Sequence, residues 1–286
     1  MKKILYVIII IISCFISSCE IINPEEEIPS FVSIDSITFT TTPEQGTDRQ
    51  QLLDAWIFVD GEKIGTFEMP CTVPILKNGN VNIEILPGIK LNGISNTRAT
   101  YQMVKPWKKS INLIKDSVLV LKPSSEYSEA AIIENPVESF EDAGISISAT
   151  SFSDTSILRT SVPEEVFEGN FSGMIVVDKQ RSTADLKSNS SYDLPSGIPA
   201  FLEIHFKTDA PVSIGLTANK GATITYKPIV RLNETTSWKK MYVNLTPTVS
   251  DNHNVDNFNY FIRLKLPKDR TEARCFIDNI KLIRGK

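Results

Sequence analysis

The sequence predicts an all-β chain folded as two β-sandwich domains, the second of them a jelly roll. Short apolar stretches recur between turn signals along the chain, and no long segment carries the i, i+3, i+4 spacing of an amphipathic helix. At 286 residues, with 41% hydrophobic and 22% charged side chains, the chain can supply two cores of ordinary globular composition. The net charge of −4 becomes more negative if Lys2 and Lys3 leave with a leader, which argues against nucleic acid or an anionic lipid surface as the partner.

Residues 1–18 read as a signal peptide. Met1-Lys2-Lys3 precedes the apolar run Ile4 to Ile16, too short to span a bilayer comfortably and flanked as secretory leaders are. The run ends in Ile16-Ser17-Ser18-Cys19, which resembles the lipobox of bacterial lipoproteins. That resemblance implies that Cys19 is acylated and becomes the new N-terminus, so the membrane is met through a lipid anchor only; each buried CH₂ adds about 0.8 kcal/mol to such attachment. Residues 19–30, with Glu25-Glu26-Glu27 between Pro24 and Pro29, lack apolar periodicity and read as an acidic tether. An acidic run behind the lipidated Cys resembles the surface-export signal of Bacteroidetes lipoproteins. It implies an outer-membrane protein on the cell surface, with the periplasmic face as the alternative.

Residues 31–122 read as a compact sandwich, with strands expected over 31–40, 55–60, 81–85, 110–114 and 117–121. In Val81-Asn82-Ile83-Glu84-Ile85 the alternation places three apolar side chains on one face. Asp60-Gly61 and Asn78-Gly79 supply the positive-φ positions of tight turns. The segment Ala55 to Gly65, followed by Pro70, Pro74 and Lys77-Asn78-Gly79-Asn80-Val81-Asn82-Ile83, resembles the PEGA-type surface module, although Glu68-Met69-Pro70-Cys71 stands near where the namesake tetrapeptide would be. The resemblance implies an immunoglobulin-like spacer or interaction platform. Residues 123–131 lack periodicity and read as a linker.

Residues 132–286 carry eight expected strands, over 145–149, 173–178, 200–207, 212–216, 223–226, 238–245, 258–266 and 274–282, as a jelly roll requires. Several landmarks come in a telling order: Phe140-Glu141, the Gly-containing Phe167 to Gly173, the strand Phe201 to Lys207, the Trp-led Ser237 to Val243, and a closing Ile277-Asp278-Asn279-Ile280. This order is similar to galactose-binding-like jelly rolls of bacterial carbohydrate-binding modules. The similarity implies a non-catalytic domain that binds carbohydrate or a similar polymer. It also implies a structural calcium between an early acidic residue and the closing Asp.

Strand parity nominates the ligand-binding side chains. Trp238 and Tyr242 share the polar parity of their strand, Phe261 and Arg263 share that of the next long strand, and Glu203 and His205 oppose Leu202, Ile204 and Phe206. Aromatic planes beside hydrogen-bonding groups suit a sugar, whose C–H face stacks while its hydroxyls take directional bonds; the competing reading is that these rings cover sheet edges or loops. Asp278 is placed on the core parity with Phe276, Ile280 and Leu282, where a carboxylate needs donors or a metal. Calcium, with Glu141 and Asp142 as further ligands and Glu168 behind them, stands against a turn-capping Asp278.

Neither His205 nor His253 has the company nucleophilic catalysis needs, and no Gly-x-Ser-x-Gly elbow or His-x-x-x-His helix is present. Cys71 and Cys275, about 200 residues apart, suggest neither a disulfide nor a zinc site, and Cys275 reads as a core residue. The expected protein is therefore a lipid-anchored envelope component without catalysis. The alternatives are a protein-interaction component of a surface assembly and, third, a carboxylate-based glycoside hydrolase.

Overall fold

The computed structural model describes residues 27–286, so the leader, Cys19 and most of the acidic tether lie outside the described residues. The first domain holds β1 (Ser30–Ile34), β2 (Thr38–Thr40), β3 (Asp54–Val59), β4 (Glu62–Glu68), β5 (Cys71–Ile75), β6 (Gly79–Lys90), β7 (Arg98–Thr100), β8 (Trp107–Leu113), β9 (Val118–Leu121) and β10 (Ser124–Glu126). β5, β1 and β9 form one sheet, and β4, β3, β6, β7 and β8 a second, with β2 and β10 as a parallel pair. Val81, Ile83 and Ile85 of β6 point into the core, as their alternation requires. Asp60 and Gly61, at φ of 51° and 83°, form the tight turn between β3 and β4.

The second domain follows with β11 (Ala131–Glu138), β12 (Ile147–Ala149), β13 (Leu158–Thr160), β14 (Ser172–Asp178), β15 (Thr183–Ser188), β16 (Ala200–Thr208), β17 (Val212–Lys220), β18 (Thr223–Leu232) and β19 (Lys239–Asn244). The short helix α1 (Thr246–Asp251), β20 (Asn257–Lys265) and β21 (Glu272–Gly285) complete it. A six-stranded sheet in the order β13-β14-β21-β16-β19, with β11 also on β21, faces a five-stranded sheet in the order β12-β15-β20-β17-β18. All these pairings are antiparallel, and Leu202, Ile204 and Phe206 interleave with Ile214, Leu216, Ile262 and Leu264 in the core between the sheets.

Residues 123–131 depart from the linker reading. Ser124–Glu126 lie parallel to β2, the Ser125 hydroxyl donates to the Lys105 carbonyl at 2.6 Å, and Tyr127 is buried. Polar side chains hid this strand, because its binding comes from backbone pairing with β2, 86 residues earlier, rather than from an apolar stripe. The chain thus enters β11 directly, and the two domains share a packed boundary: Phe201, Tyr242 and Ile283 of the second belong to the core of the first. The β6–β7 turn caps the β19 edge, with the Asn92 N–H donating to the Tyr242 carbonyl at 3.0 Å and the Asn244 N–H to Asn92 Oδ1 at 2.8 Å. At Gly93, φ is 70° and a Cβ would stand 2.6 Å from Met241 Cε, so glycine allows this approach.

Candidate functional site

The strands β16, β19 and β21 send Phe201, Glu203, His205, Lys240, Tyr242, Lys281 and Ile283 away from the jelly-roll core, as parity requires. This face does not meet solvent. The first domain covers it, leaving Glu203 and Lys281 at 0% exposure, Tyr242 at 2% and His205 at 3%. Glu203 accepts hydrogen bonds from the Tyr101 hydroxyl at 2.5 Å, Tyr127 at 3.1 Å and Gln50 Nε2 at 3.0 Å, and it contacts Lys240 Nζ at 2.6 Å. The Tyr242 hydroxyl donates to Gln50 Oε1 at 2.8 Å and accepts from the Gln51 N–H at 2.9 Å. Lys281 Nζ donates to the Thr47 carbonyl at 2.7 Å. Glu203, Tyr242 and His205, three of the six residues of the expected ligand face, are therefore part of a polar seam between domains.

The electrostatics of the seam follow from burial. Desolvation pushes the Glu203 carboxyl up, but the Lys240 and Lys281 ammoniums outweigh it and hold the group well below the usual carboxylate range. Burial lowers both lysines, Lys281 to about 8, against the pull of Glu203. His205 is lowered to about 2 by burial and by Lys240, so it is a neutral imidazole.

At the margin of the seam a groove opens. One part, of roughly 330 Å³, is lined by Arg49, Gln50, Gln51, Phe167, His205, Trp238, Lys239 and Lys240. Arg49 and Phe167 also line a second part of roughly 670 Å³ along the Phe167–Phe171 loop, and Gln51, Lys239 and Lys240 a third of roughly 650 Å³ that reaches Lys90 and Arg231. The shared linings make these three hollows neighbours along the domain junction, together called the groove. Trp238 and Phe167 stand 5.4 Å apart between ring centroids at 53°, and Phe167 stacks on His205 at 4.0 Å. Trp238 Nε1 and His205 Nδ1 are buried without a hydrogen-bond partner, and Lys240 Nζ has no aligned acceptor besides its ionic contact. Buried polar atoms without partners are rare in folded proteins, and here they gather at one opening.

Phe261 and Arg263 are not part of this group. They lie on β20, in the five-stranded sheet, on the opposite side of the sandwich from Trp238, Tyr242, Glu203 and His205. Parity alone could not separate two sheets whose strands share the same alternation. Phe261 is fully buried; the Arg263 guanidinium lies 4.5 Å above the Tyr226 ring and donates to Asp185 Oδ2 from Nε at 2.8 Å. These side chains satisfy one another.

The residues proposed for calcium are placed differently as well. A bulge at Asn279, with φ of 49°, flips strand parity, so Ile277 and Ile280 enter the core while Asp278 pairs beside His205 on the outer face. Asp278 accepts from the Ser172 hydroxyl at 2.5 Å and the Asn279 N–H at 2.7 Å; burial pushes its carboxyl up to about 7 against these donors. Glu141 accepts from the Asn170 and Phe171 N–H groups at 2.8 and 2.9 Å, tying down their loop, and Asp142 is exposed. Glu168 is engaged by Arg49 and Asn279. Among the described residues no group of three or more His, Cys, Asp or Glu side chains is placed to hold a metal ion.

No family model matches the sequence, and no curated protein does. Among solved structures, a family 61 carbohydrate-binding module in complex with β-1,4-galactotriose matches 48% of this chain and 85% of its own, at 13% identity and a TM-score of 0.31. The xylan-binding domain of family 22 matches 53% and 93%, at 13% identity and 0.35. A family 29 carbohydrate-binding module matches 54% and 88%, at 13% identity and 0.35. The jelly-roll assignment stands on the strand order and core described above.

Sequence reasoning missed Arg49, Gln50 and Phe167 as groove residues. Arg49 and Gln50 belong to the segment between β2 and β3, and Phe167 to a loop, so no periodicity marks them; the consecutive Arg49-Gln50-Gln51 before an apolar strand was the available signal.

Proposed function

We propose that this chain is a lipid-anchored, non-catalytic cell-envelope protein that binds a glycan chain in the groove at its domain junction. The observation that carries the reading is the pair of unpartnered buried polar atoms, the Trp238 Nε1 donor and the ring nitrogen His205 Nδ1, beside the Trp238 and Phe167 rings. Rings offer apolar planes to a sugar face and donors offer bonds to its oxygens. The three neighbouring parts give the groove the extent for a polymer rather than a single small molecule. Affinity electrophoresis against a panel of soluble polysaccharides tests this: at least one should retard the protein, and Trp238→Ala should weaken that retention by about 1 to 3 kcal/mol with little change in melting temperature. Retention by none of the panel, or undiminished retention of the variant, contradicts the reading.

In this reading Cys19 carries the acyl chains, the acidic tether lifts the protein from the outer membrane, and the PEGA-like first domain is the platform that completes the groove. Cys19→Ala should move the protein from the membrane to the soluble fraction; an unchanged membrane fraction contradicts anchoring there. A second reading, docking of a protein partner in a surface assembly, is favoured by β9. It ends the β5-β1-β9 sheet, and Val118 and Val120 are 59% and 62% exposed along it.

A further inference from the structure

The charge on the groove is unbalanced, and the imbalance begins below its surface. The seam buries two ammoniums, Lys240 and Lys281, against the Glu203 carboxylate, while Asp278, the other buried carboxyl group on this face, is taken by the Ser172 hydroxyl and the Asn279 N–H. The next nearest carboxylates, Glu168 and Asp48, are partly or fully exposed, and Glu168 already pairs with Arg49 at 3.3 Å. Glu203 is the counter-ion of Lys240 at 2.6 Å, which leaves Lys281 without a carboxylate of its own, and Lys240, 8% exposed, lines the hollow beside Trp238.

The rest of the lining repeats the sign. Arg49, Lys90, Arg231, Lys239 and Lys240 face Glu168 and Glu234 along the three neighbouring parts. Glu234 is taken by Arg270 at 2.9 Å, while among the described residues Arg231 and Lys239 have no carboxylate within ion-pair distance. Trp238 Nε1 adds a further donor without an acceptor. Glu203, which is fully buried and lines none of the three parts, is saturated by two tyrosines, Gln50 and Lys240, so it offers a ligand nothing.

A neutral sugar presents hydroxyl oxygens to these donors but brings no counter-charge for Arg231 and Lys239. An anionic unit supplies acceptors and the missing counter-charge together. The ring planes of Trp238 and Phe167 fit a sugar chain laid across the hollow they line. Resting on the glycan-binding reading above, we infer that the ligand is an acidic polysaccharide, with a carboxylate-bearing sugar unit seated beside Trp238 and Lys240 and the flanking units along Arg49, Lys239 and Arg231.

Isothermal titration of the full chain in detergent tests this with polygalacturonate fragments, the same fragments after reduction of their carboxyl groups, dextran sulfate, neutral xylan and anionic phospholipid vesicles. The polygalacturonate fragments should bind on the order of tenfold tighter than their reduced form and weaken with added salt. Lys239→Gln and Arg231→Gln should each remove severalfold of that preference, and Trp238→Phe, which keeps a ring but removes the N–H, should weaken the acidic ligand more than a neutral one. These variants avoid Lys240, whose loss would disturb the seam. Equal or tighter binding of the reduced fragments or xylan overturns the acidic preference and leaves glycan binding standing. Binding of dextran sulfate alone overturns the carboxylate assignment while keeping the anionic one. Binding of vesicles alone, or of none of the probes, overturns both this inference and the function it rests on.

Discussion

The two outer faces of the jelly roll carry similar side chains and have different fates. On the six-stranded sheet, Glu203, Lys240, Lys281 and Tyr242 are sealed under the first domain and bond mainly across the junction. On the five-stranded sheet, Asp185, Tyr226, Phe261 and Arg263 are satisfied within their own face. Both faces read in the sequence as polar parity with an aromatic residue. The difference teaches that alternation reports which side chains leave a core, whereas what covers them is decided by segments far away in the chain, here Gln50, Gln51, Tyr101 and Tyr127.

The comparison is broken most forcefully at Glu203. Glu203→Leu leaves the Lys240 and Lys281 ammoniums buried together with no counter-ion, and unfolding in urea should show a loss of about 3 to 5 kcal/mol. A loss under 1 kcal/mol would mean that the seam is hydrated and loosely held. The matching change on the other face is milder. Asp185→Ala removes the partner of Arg263, but that guanidinium is 27% exposed and can turn to water, so the expected loss is about 1 to 3 kcal/mol. Should Asp185→Ala cost more than Glu203→Leu, the ranking of the two faces is reversed.

The smallest effect sharpens the margin of the seam and appears as a pH dependence. Folding raises the Asp278 pKa from 3.8 to about 7, so between these values the folded protein holds a proton that the unfolded chain has released. This group's contribution is complete below the lower value and declines as pH rises through the upper one. Asp278→Asn should flatten the decline in urea midpoint between about pH 4 and 7. Glu203, held below its ordinary 4.5, acts in the opposite sense and only in stronger acid, so the two windows separate. An unaltered pH profile in Asp278→Asn would show that this carboxyl titrates normally.

Much of the second domain was legible because its strands alternate strongly: β16 reads directly as Leu202, Ile204 and Phe206 inward and Glu203 and His205 outward. The short β13 and β15 and the Pro-containing β11 escaped notice, having weak apolar stripes and owing their place to pairing with β14, β20 and β21. Asp278 was assigned to the core because periodicity was carried through a residue that breaks it; an Asn following an Asp, tolerant of positive φ, was the local hint of the bulge. Trp238 was legible as an aromatic residue needing a partner. Its surroundings were not, because Arg49 and Phe167 come from separate loops that only the folded chain brings together.

On the proposed function, the contrast between the faces predicts where a glycan would lie. A crystal structure of the protein with the tightest-binding oligosaccharide from the panel tests it directly. Sugar density in the junction groove beside Trp238 and Phe167, within hydrogen-bond distance of Trp238 Nε1, is the expected result. Density against Tyr226 and Arg263 on the five-stranded sheet, with the junction groove empty, would contradict it.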